Sequence, residues 1–135
     1  MAEPRRPLPK PDEDTTPFWE ACEREELRMQ RCLDCGTLRF RPRLVCPACL
    51  SLRCEWALLS GRGTVHTFGV VHSPIIPAFK DELPYTLALV DLEEGPRMTT
   101  RIVDCSPDEV FIGMPVQVRF VPVAEHVTLP CFRPA

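Results

Sequence analysis

The amino-acid sequence predicts a mainly β protein: a short N-terminal helix, a metal-binding ribbon, and a small closed or nearly closed β-barrel. Two Cys-x-x-Cys pairs lie within residues 32–49, and this spacing is typical of a ribbon folded around one metal ion. Five or six short strand patterns, separated by turns rich in glycine and proline, follow over about 80 residues. No second long helical pattern interrupts them, which indicates a small closed or nearly closed barrel.

The N-terminal segment divides into a proline-rich arm and a helix. Residues 1–14 combine proline with charge and leave little apolar surface to bury, so we expect a flexible arm. A helix and a lead-in strand are predicted within residues 15–30, with the Thr16 hydroxyl as N-cap and a proline directly after it. Phe18 and Cys22 are four residues apart and therefore share one apolar helix face.

The strand assignments depend on period-two alternation and on turn residues. Val116, Val118 and Phe120 alternate with polar residues, a pattern that buries one face of a strand. The expected strands are 27–31 and 37–40 in the ribbon hairpin, then 54–59, 64–71, 85–92, 97–103, 116–123 and 127–132. We therefore place the ribbon at residues 31–53 and the barrel at residues 54–135.

The net charge of −3 is unevenly distributed along the chain. Residues 1–27 carry four basic and eight acidic side chains, and residues 63–135 carry five basic and nine acidic ones. Residues 28–62 instead carry seven arginines and two acidic residues, so a positive block coincides with the cysteine cluster. An acidic partner or a polyanion should approach the molecule there.

The composition also bears on where the protein acts. No segment approaches the roughly 18 uncharged apolar residues that cross a bilayer, and the N-terminus lacks the apolar core of a signal peptide. We expect a cytoplasmic protein with no membrane partner. In a reducing compartment its eight cysteines should be metal ligands or buried thiols rather than disulfides.

The two cysteine pairs are predicted to hold one structural metal ion, with zinc as the expected ion. The ligands are Cys32, Cys35, Cys46 and Cys49, and Gly36 supplies the permissive backbone that a tight turn after the first pair requires. Four thiolates complete a tetrahedral shell and leave no position for a reacting water, as in structural zinc sites. Iron in a rubredoxin-like arrangement would use the same ligands, so the sequence alone leaves zinc and iron open.

The sequence gives no support for catalysis by this chain alone. His66, His72 and His126 are isolated from the serine and acidic residues of a catalytic triad, and no glycine-rich phosphate loop is present. His72 opens the longest predicted connection, residues 72–84, which contains several prolines and has Phe79 at its middle. A loop of this length often binds a ligand or a partner.

Seven motifs together resemble a bacterial and archaeal family, long regarded as a domain of unknown function. It joins an N-terminal helix and a rubredoxin-like zinc ribbon to an OB-fold barrel. The motifs are LRMQRCLDCG at 27–36, RPRLVCPAC at 41–49, GRGTVHTF at 61–68, PYTLALVDL at 84–92, EGPRM at 94–98, IGMPV at 112–116 and FRPA at 132–135. The resemblance covers residues 15–135, and the ordered combination is far more specific than any single motif.

The resemblance implies a non-catalytic accessory subunit of a thiolase-superfamily enzyme that acts on acyl-CoA thioesters. Partners in this family include thiolases, thiolase-like aldolases of steroid or aromatic degradation, hydroxymethylglutaryl-CoA synthase assemblies and some acyltransferases. The subunit is expected to stabilise its partner in a heterotetramer or similar hetero-oligomer. It would also help to bind or channel the CoA thioester, a ligand that the two chains would share.

Aromatic and basic residues near the ribbon and the long loop are the candidate contacts for CoA or for a partner. Aromatic side chains are enriched at interfaces, and arginines pair with phosphates and carboxylates. The candidate contact residues are Phe18, Trp19, Arg39, Arg41, Arg43, His72, Phe79 and Lys80. Core packing is the other interpretation of Phe18 and Trp19, and a solvated surface is that of the arginines.

Two other functions compete with the accessory subunit. A single-stranded nucleic-acid-binding module is one, since ribbons and OB barrels both bind nucleic acids, usually through a basic groove with stacking aromatics. The acidic barrel disfavours it, and its strand aromatics are few: Phe68, Tyr85, Phe120 and Phe132. A stand-alone enzyme or redox carrier is the other, and it would require iron at the cysteines or turnover by the isolated chain.

Overall fold

The computed structural model describes residues 6–73 and 76–135. Its helix and strands are α1 (Thr16–Glu23), β1 (Arg28–Cys32), β2 (Leu38–Arg39), β3 (Cys54–Leu58), β4 (Arg62–Val71), β5 (Tyr85–Leu92), β6 (Arg97–Ile102), β7 (Pro115–Ala124) and β8 (Val127–Pro134). Short 3-10 turns cover Pro77–Glu82 and Pro107–Glu109. The start of the predicted arm, residues 1–5, and Pro74 and Ile75 of the predicted long loop lie outside the described residues.

The sequence predicts Thr16 as the N-cap and the following proline as the first helical residue. Helix α1 instead begins one residue earlier, at Thr16. The reason is that Asp12, rather than the Thr16 hydroxyl, satisfies the free groups ahead of the first turn. The Asp12 carboxylate accepts hydrogen bonds from the backbone N–H groups of Asp14 and Thr15, both at 2.9 Å. The Thr16 hydroxyl donates to the Asp12 carbonyl oxygen at 2.6 Å, so it stabilises the preceding turn instead.

The ribbon forms a three-stranded antiparallel sheet in the order β2-β1-β3. The sequence pattern predicts the β3 segment correctly as a strand but assigns it to the barrel, whereas β3 pairs with β1 along its whole length, from Arg28 opposite Leu58 to Cys32 opposite Cys54. Because the four ligand sulfurs converge, the second cysteine pair lies beside the first, and the chain that follows it starts close to the end of β1. It therefore runs back along β1 before it enters the barrel at β4.

Strands β4 to β8 close into a five-stranded barrel in the order β4-β5-β6-β8-β7, with β7 paired to β4. The β6–β8 pairing is parallel, and the other neighbours in the barrel are antiparallel. Its interior is filled by Val65, Val90, Met98, Val116 and Phe132, none more than 1% exposed. This arrangement confirms the predicted fold class: a helix, a ribbon and a closed OB-fold barrel.

Gly63 allows the barrel to close at β4. It lies opposite Leu92 of β5 and Val116 of β7, so both neighbouring strands approach it. A Cβ atom at this position would lie 2.6 Å from the Asp91 carbonyl oxygen and 2.8 Å from the Val90 side chain. Both distances are shorter than van der Waals contact, so only glycine fits without moving the backbone.

One continuous core joins the helix, the ribbon and the barrel. Phe18 and Cys22 of α1, Met29 of β1 and Val90 of β5 belong to the same buried cluster. The predicted apolar helix face therefore packs inward, which buries the Phe18 ring to 4% exposure. Because the core is shared, the ribbon is held in a fixed orientation relative to the barrel.

The described part of the arm, residues 6–14, contains no helix or strand and is tied to the barrel at Arg6. The Arg6 guanidinium lies 2.6 Å from a Glu82 carboxylate oxygen, and the same oxygen accepts a hydrogen bond from Arg101 at 3.0 Å. Both guanidinium groups also lie 5.3 Å from the Phe79 ring centre. In the described ranges, no helix is long and apolar enough to cross a membrane.

Candidate metal centre and neighbouring groove

The first cysteine pair sits on a tight turn between β1 and β2. The Cys32 N–H donates to the Thr37 carbonyl oxygen, and the Gly36 N–H donates to the Cys32 carbonyl oxygen, both at 2.9 Å. Gly36 adopts a φ of +78°, the left-handed conformation that glycine enters without strain. The predicted role of Gly36 as the permissive residue of this turn agrees with that geometry.

The second cysteine pair repeats the same turn. The Cys46 N–H donates to the Ser51 carbonyl oxygen, and the Leu50 N–H donates to the Cys46 carbonyl oxygen, again both at 2.9 Å. Leu50 occupies the position that Gly36 holds in the first turn and has a φ of +65°. A leucine in this conformation is strained, because its Cβ crowds the following carbonyl. The two turns therefore have the same backbone structure, but only the second holds a strained residue.

The two turns bring all four predicted ligands together. Their sulfur atoms lie within 4.8 Å of one another, with Cys32 Sγ 3.5 Å from Cys49 Sγ and Cys35 Sγ 3.6 Å from Cys46 Sγ. A tetrahedral zinc ion with Zn–S bonds of about 2.3 Å places its sulfurs about 3.8 Å apart. The observed cluster therefore fits a four-thiolate zinc site, which would supply structure rather than chemistry because its coordination shell is closed.

Backbone amides favour the thiolate form of the first cysteine in each pair. The Cys35 amide lowers the pKa of Cys32 to about 6, and the Asp34 N–H, 3.4 Å from Cys32 Sγ, acts in the same direction. The Cys49 amide likewise lowers the pKa of Cys46. Metal binding requires deprotonated sulfur, so the turns prepare these two ligands for a cation.

The fourth ligand, Cys49, has the opposite tendency. The Ser51 amide lowers its pKa, but hydrogen bonding with Cys32 and the other ligand thiols, together with burial, outweighs this and raises it to about 12. Sulfurs at this separation cannot all carry negative charge unless a positive ion lies among them. A metal ion is therefore needed for all four sulfurs to be thiolates at once.

The side chain of Gln30, in β1, makes buried polar contacts that support the ribbon. The Gln30 side-chain oxygen accepts hydrogen bonds from Arg39 Nε at 2.9 Å and from the Arg43 N–H at 2.7 Å. Arg39 is only 4% exposed, and its two terminal nitrogens have no hydrogen-bond partner among the described residues. Gln30 thus holds the segment before Cys46 in place, and Arg39 is buried against Gln30, whereas Arg43 is exposed.

The remaining cysteines are thiols outside the metal cluster. Burial raises the pKa of Cys22 to about 12 and raises that of Cys131 as well. Burial and the nearby Glu109 carboxylate raise the pKa of Cys105. These three thiols are protonated at neutral pH, so none of them is an activated nucleophile.

An apolar groove with a volume of 340 Å³ opens where the helix, the ribbon and the barrel meet. Three of the predicted contact residues line it: Phe18 and Trp19 from α1 and Arg41 from the segment after β2. Phe18 stands edge-on to Trp19 with 5.1 Å between ring centres, so the two aromatics form one wall. The Arg41 side chain is exposed and brings a positive charge to the rim.

The other predicted contact residues lie elsewhere. His72 is exposed just after β4, and Lys80 is exposed on the 3-10 turn. Phe79, on the same turn, is half-buried between the Arg6 and Arg101 guanidinium groups. The structure therefore joins Phe18, Trp19 and Arg41 in one groove and leaves the loop candidates, together with Arg39 and Arg43, outside it.

The barrel side of the groove was missed by sequence reasoning. Leu87, Thr99, Arg101, Leu129 and Pro130 line it, and they come from β5, β6 and β8. Only the pairing of these strands brings the residues together, and no motif marks that pairing in the sequence. Exposed leucines on the ribbon were also missed, although their position close to the ligands in sequence could have indicated them.

Two family models match the chain over adjoining segments. The model described as "ChsH2, rubredoxin-like zinc ribbon domain" matches residues 19–54. The model described as "ChsH2, C-terminal OB-fold domain" matches residues 56–121. The two matched segments meet within β3.

The chain is also similar to proteins of bacteria and archaea. A "Probable enoyl-CoA hydratase alpha subunit" of Thermomonospora curvata is 42% identical over 130 residues, which are 96% of this chain and 40% of that protein. The chain thus spans less than half the length of that relative. A "DUF35 domain-containing scaffold protein" of Methanothermobacter thermautotrophicus is 41% identical over 105 residues, 77% of this chain and 78% of that protein.

A solved structure described as "Ltp2-ChsH2(DUF35) aldolase" contains a similar chain. The two superpose with a TM-score of 0.85 at 40% sequence identity, over 93% of this chain and 98% of that one. A second solved structure, a DUF35-family protein of Sulfolobus solfataricus with unknown function, superposes with a TM-score of 0.63 at 12% identity. At that identity, the likeness is one of fold alone.

Proposed function

Because this chain belongs to the ChsH2 family, which joins a rubredoxin-like zinc ribbon to an OB-fold domain, we propose that it is a non-catalytic subunit of a thiolase-superfamily enzyme. The enzyme would act on acyl-CoA thioesters, as a thiolase or a retro-aldolase, within a heterotetramer or similar hetero-oligomer. The observation that carries this proposal is the nearly full-length likeness to a chain of a structure named as an aldolase with two components. The relatives named as scaffold proteins and as an alpha subunit support it.

The chemistry of the chain is consistent with a supporting role. The four-thiolate cluster has no open coordination position at which a substrate could be activated. His126 Nδ1 lies 2.7 Å from a Glu23 carboxylate oxygen and His66 Nδ1 lies 3.3 Å from one of Asp91; both histidines are exposed, and neither lines the groove. These contacts explain the two histidines as surface residues in polar contact with carboxylates, so the reacting groups would belong to the partner.

The groove is the place where the chain would help to hold the thioester. Its apolar walls suit an uncharged segment of the ligand, and Arg41 at the rim suits a phosphate or carboxylate. Its volume of 340 Å³ is at the lower end for ligand sites, which fits a ligand shared with a second chain. The proposed contacts are Trp19 and Arg41, with Phe18 packed edge-on against Trp19.

Nucleic-acid binding is less well supported than an accessory role. Of the four strand aromatics in the barrel, Phe132 is fully buried, and Phe68 and Phe120 are half-buried against the core. Tyr85 is covered by the Arg101 guanidinium, which lies 3.8 Å from its ring centre. None of the four offers the open stacking surface on which single-stranded bases lie.

The proposal is tested by mixing the purified chain with a thiolase-like protein from the same genome and measuring acyl-CoA turnover. We expect the two proteins to elute together from gel filtration and to turn over the thioester, while this chain alone does not. Separate elution, or turnover by this chain alone, would overturn the proposal. A Trp19→Ala, Arg41→Ala variant should raise the KM for the thioester. Arg119→Ala should leave it unchanged, because Arg119 pairs with Asp104 and does not line the groove.

A further inference from the structure

We propose that the metal-held tip of the ribbon is the surface that docks into the catalytic partner; this inference rests on the proposed function. The tip carries five exposed aliphatic side chains, here called the ribbon patch: Leu33, Leu44, Val45, Leu50 and Leu52. Eleven large apolar residues are exposed in the described ranges, and these five fall within twenty residues of sequence. Such a concentration of exposed apolar surface marks an interaction site rather than ordinary surface.

The metal turns gather the ribbon patch into one surface. The Leu33 N–H donates to the Arg53 carbonyl oxygen at 3.1 Å, which places the first turn beside the chain that follows the second. The hydrogen bond from Cys46 to Ser51 brings Val45 close to Leu52 in the same way. The patch is therefore preorganised, and little conformational entropy would be lost when it binds.

Leu50 is the most informative member of the patch. It is 75% exposed, and it occupies a left-handed backbone position that glycine would fill without strain. Neither the core nor the backbone explains a leucine at this position. A partner surface that buries the side chain does explain it, because removing a leucine side chain from water favours binding.

The charge around the patch identifies the kind of partner. Exposed Arg41 and Arg43 border it, Arg53 is offset by Asp34 at 3.5 Å, and residues 28–62 carry a net charge of +5. A second copy of this chain would place arginines against arginines across a two-fold axis, which disfavours self-association. The surface that fits is an apolar groove of a different protein, bordered by carboxylates.

The test compares two matched pairs of exposed apolar residues. Leu44→Glu, Leu52→Glu alters the ribbon patch, and Phe111→Glu, Ile112→Glu alters a comparably exposed pair on the barrel. Affinity for the thiolase-like subunit is measured by biolayer interferometry, and zinc content shows that the ribbon is folded. Because the variant removes two apolar side chains from the interface and places two carboxylates there, we expect it to bind about 100-fold more weakly while it retains one zinc per chain. The barrel variant should bind like the wild type.

The outcomes separate the two proposals. Equal binding by the wild type and the zinc-loaded ribbon variant overturns the docking surface and leaves the proposed function standing. No binding by the wild type overturns both. If the ribbon variant loses zinc, Leu44→Ala, Leu52→Ala replaces it, with a weaker but still selective loss of affinity expected. Self-association of the wild type in sedimentation velocity, abolished in the ribbon variant, would assign the patch to a second copy and also overturn the inference.

Discussion

Substitutions at the residues that follow the two cysteine pairs should change metal affinity in opposite directions. Gly36 and Leu50 occupy equivalent left-handed positions, with φ values of +78° and +65°. Gly36→Ala introduces a strained residue into the first turn, and Leu50→Gly removes one from the second. Leu50→Ala is the matched control, because it shortens the side chain and retains the strain.

The magnitude follows from two opposing terms. A non-glycine residue in the left-handed region costs about 1–2 kcal/mol. Glycine loses more freedom on folding than alanine does, which offsets about 0.4–1 kcal/mol of that difference. A Cβ at Gly36 would meet no atom within 4 Å, so no steric clash adds to the cost. The net effect is about 1 kcal/mol in each direction, or about fivefold in an equilibrium constant.

Zinc affinity is the observable, because formation of the turns is coupled to metal binding. Competition with a chromophoric chelator at fixed pH should give about fivefold weaker binding for Gly36→Ala. Leu50→Gly should bind up to about fivefold more tightly than the wild type, and Leu50→Ala within about twofold of it. Unchanged affinity in Gly36→Ala, or weaker binding by Leu50→Gly than by Leu50→Ala, would refute the account of the second turn.

Three further predictions concern the metal, the barrel and the buried thiol. Cys35→Ser should abolish stoichiometric zinc in elemental analysis, while Cys105→Ser should retain one zinc per chain; zinc loss in both would contradict the ligand assignment. Gly63→Ala places a Cβ within 2.6 Å of a backbone oxygen, so it should lower the free energy of unfolding by about 1–3 kcal/mol in urea titrations. An unchanged midpoint of urea unfolding would show that β4 can shift to make room. Burial raises the pKa of Cys22 in the folded protein from an ordinary 9 to about 12, so the thiol ionises first in the unfolded chain. The free energy of unfolding should therefore fall as pH rises from about 9 to 12. Thermal melts of Cys22→Ala should show a weaker decline over this range, and an identical decline would contradict the assignment.

The metal ligands and the barrel strands could be predicted from the sequence because their signals are local. Two Cys-x-x-Cys pairs identify a metal cluster without knowledge of the fold, and the 85–92 strand is observed with the predicted bounds. The pairing of β3 with β1 could not be predicted, since alternation identifies a strand but not its neighbour. The groove was unpredictable for the same reason, because its walls meet only through the pairing of β6 with β8.

The burial of Arg39 and the conformation of Leu50 show a second limit. An arginine in a basic segment is typical of a solvated surface, and only the contact with Gln30 places the guanidinium inside. A leucine gives no sign of a left-handed conformation, whereas Gly36 in the equivalent turn does. Both features depend on three-dimensional neighbours.

Native mass spectrometry of the chain co-expressed with a thiolase-like protein from the same genome tests the central claim most directly. The account predicts a hetero-oligomer that contains both chains in equal number and one zinc ion for each copy of this chain. Two separate species, with this chain carrying its zinc but no partner, would contradict the assignment of an accessory subunit.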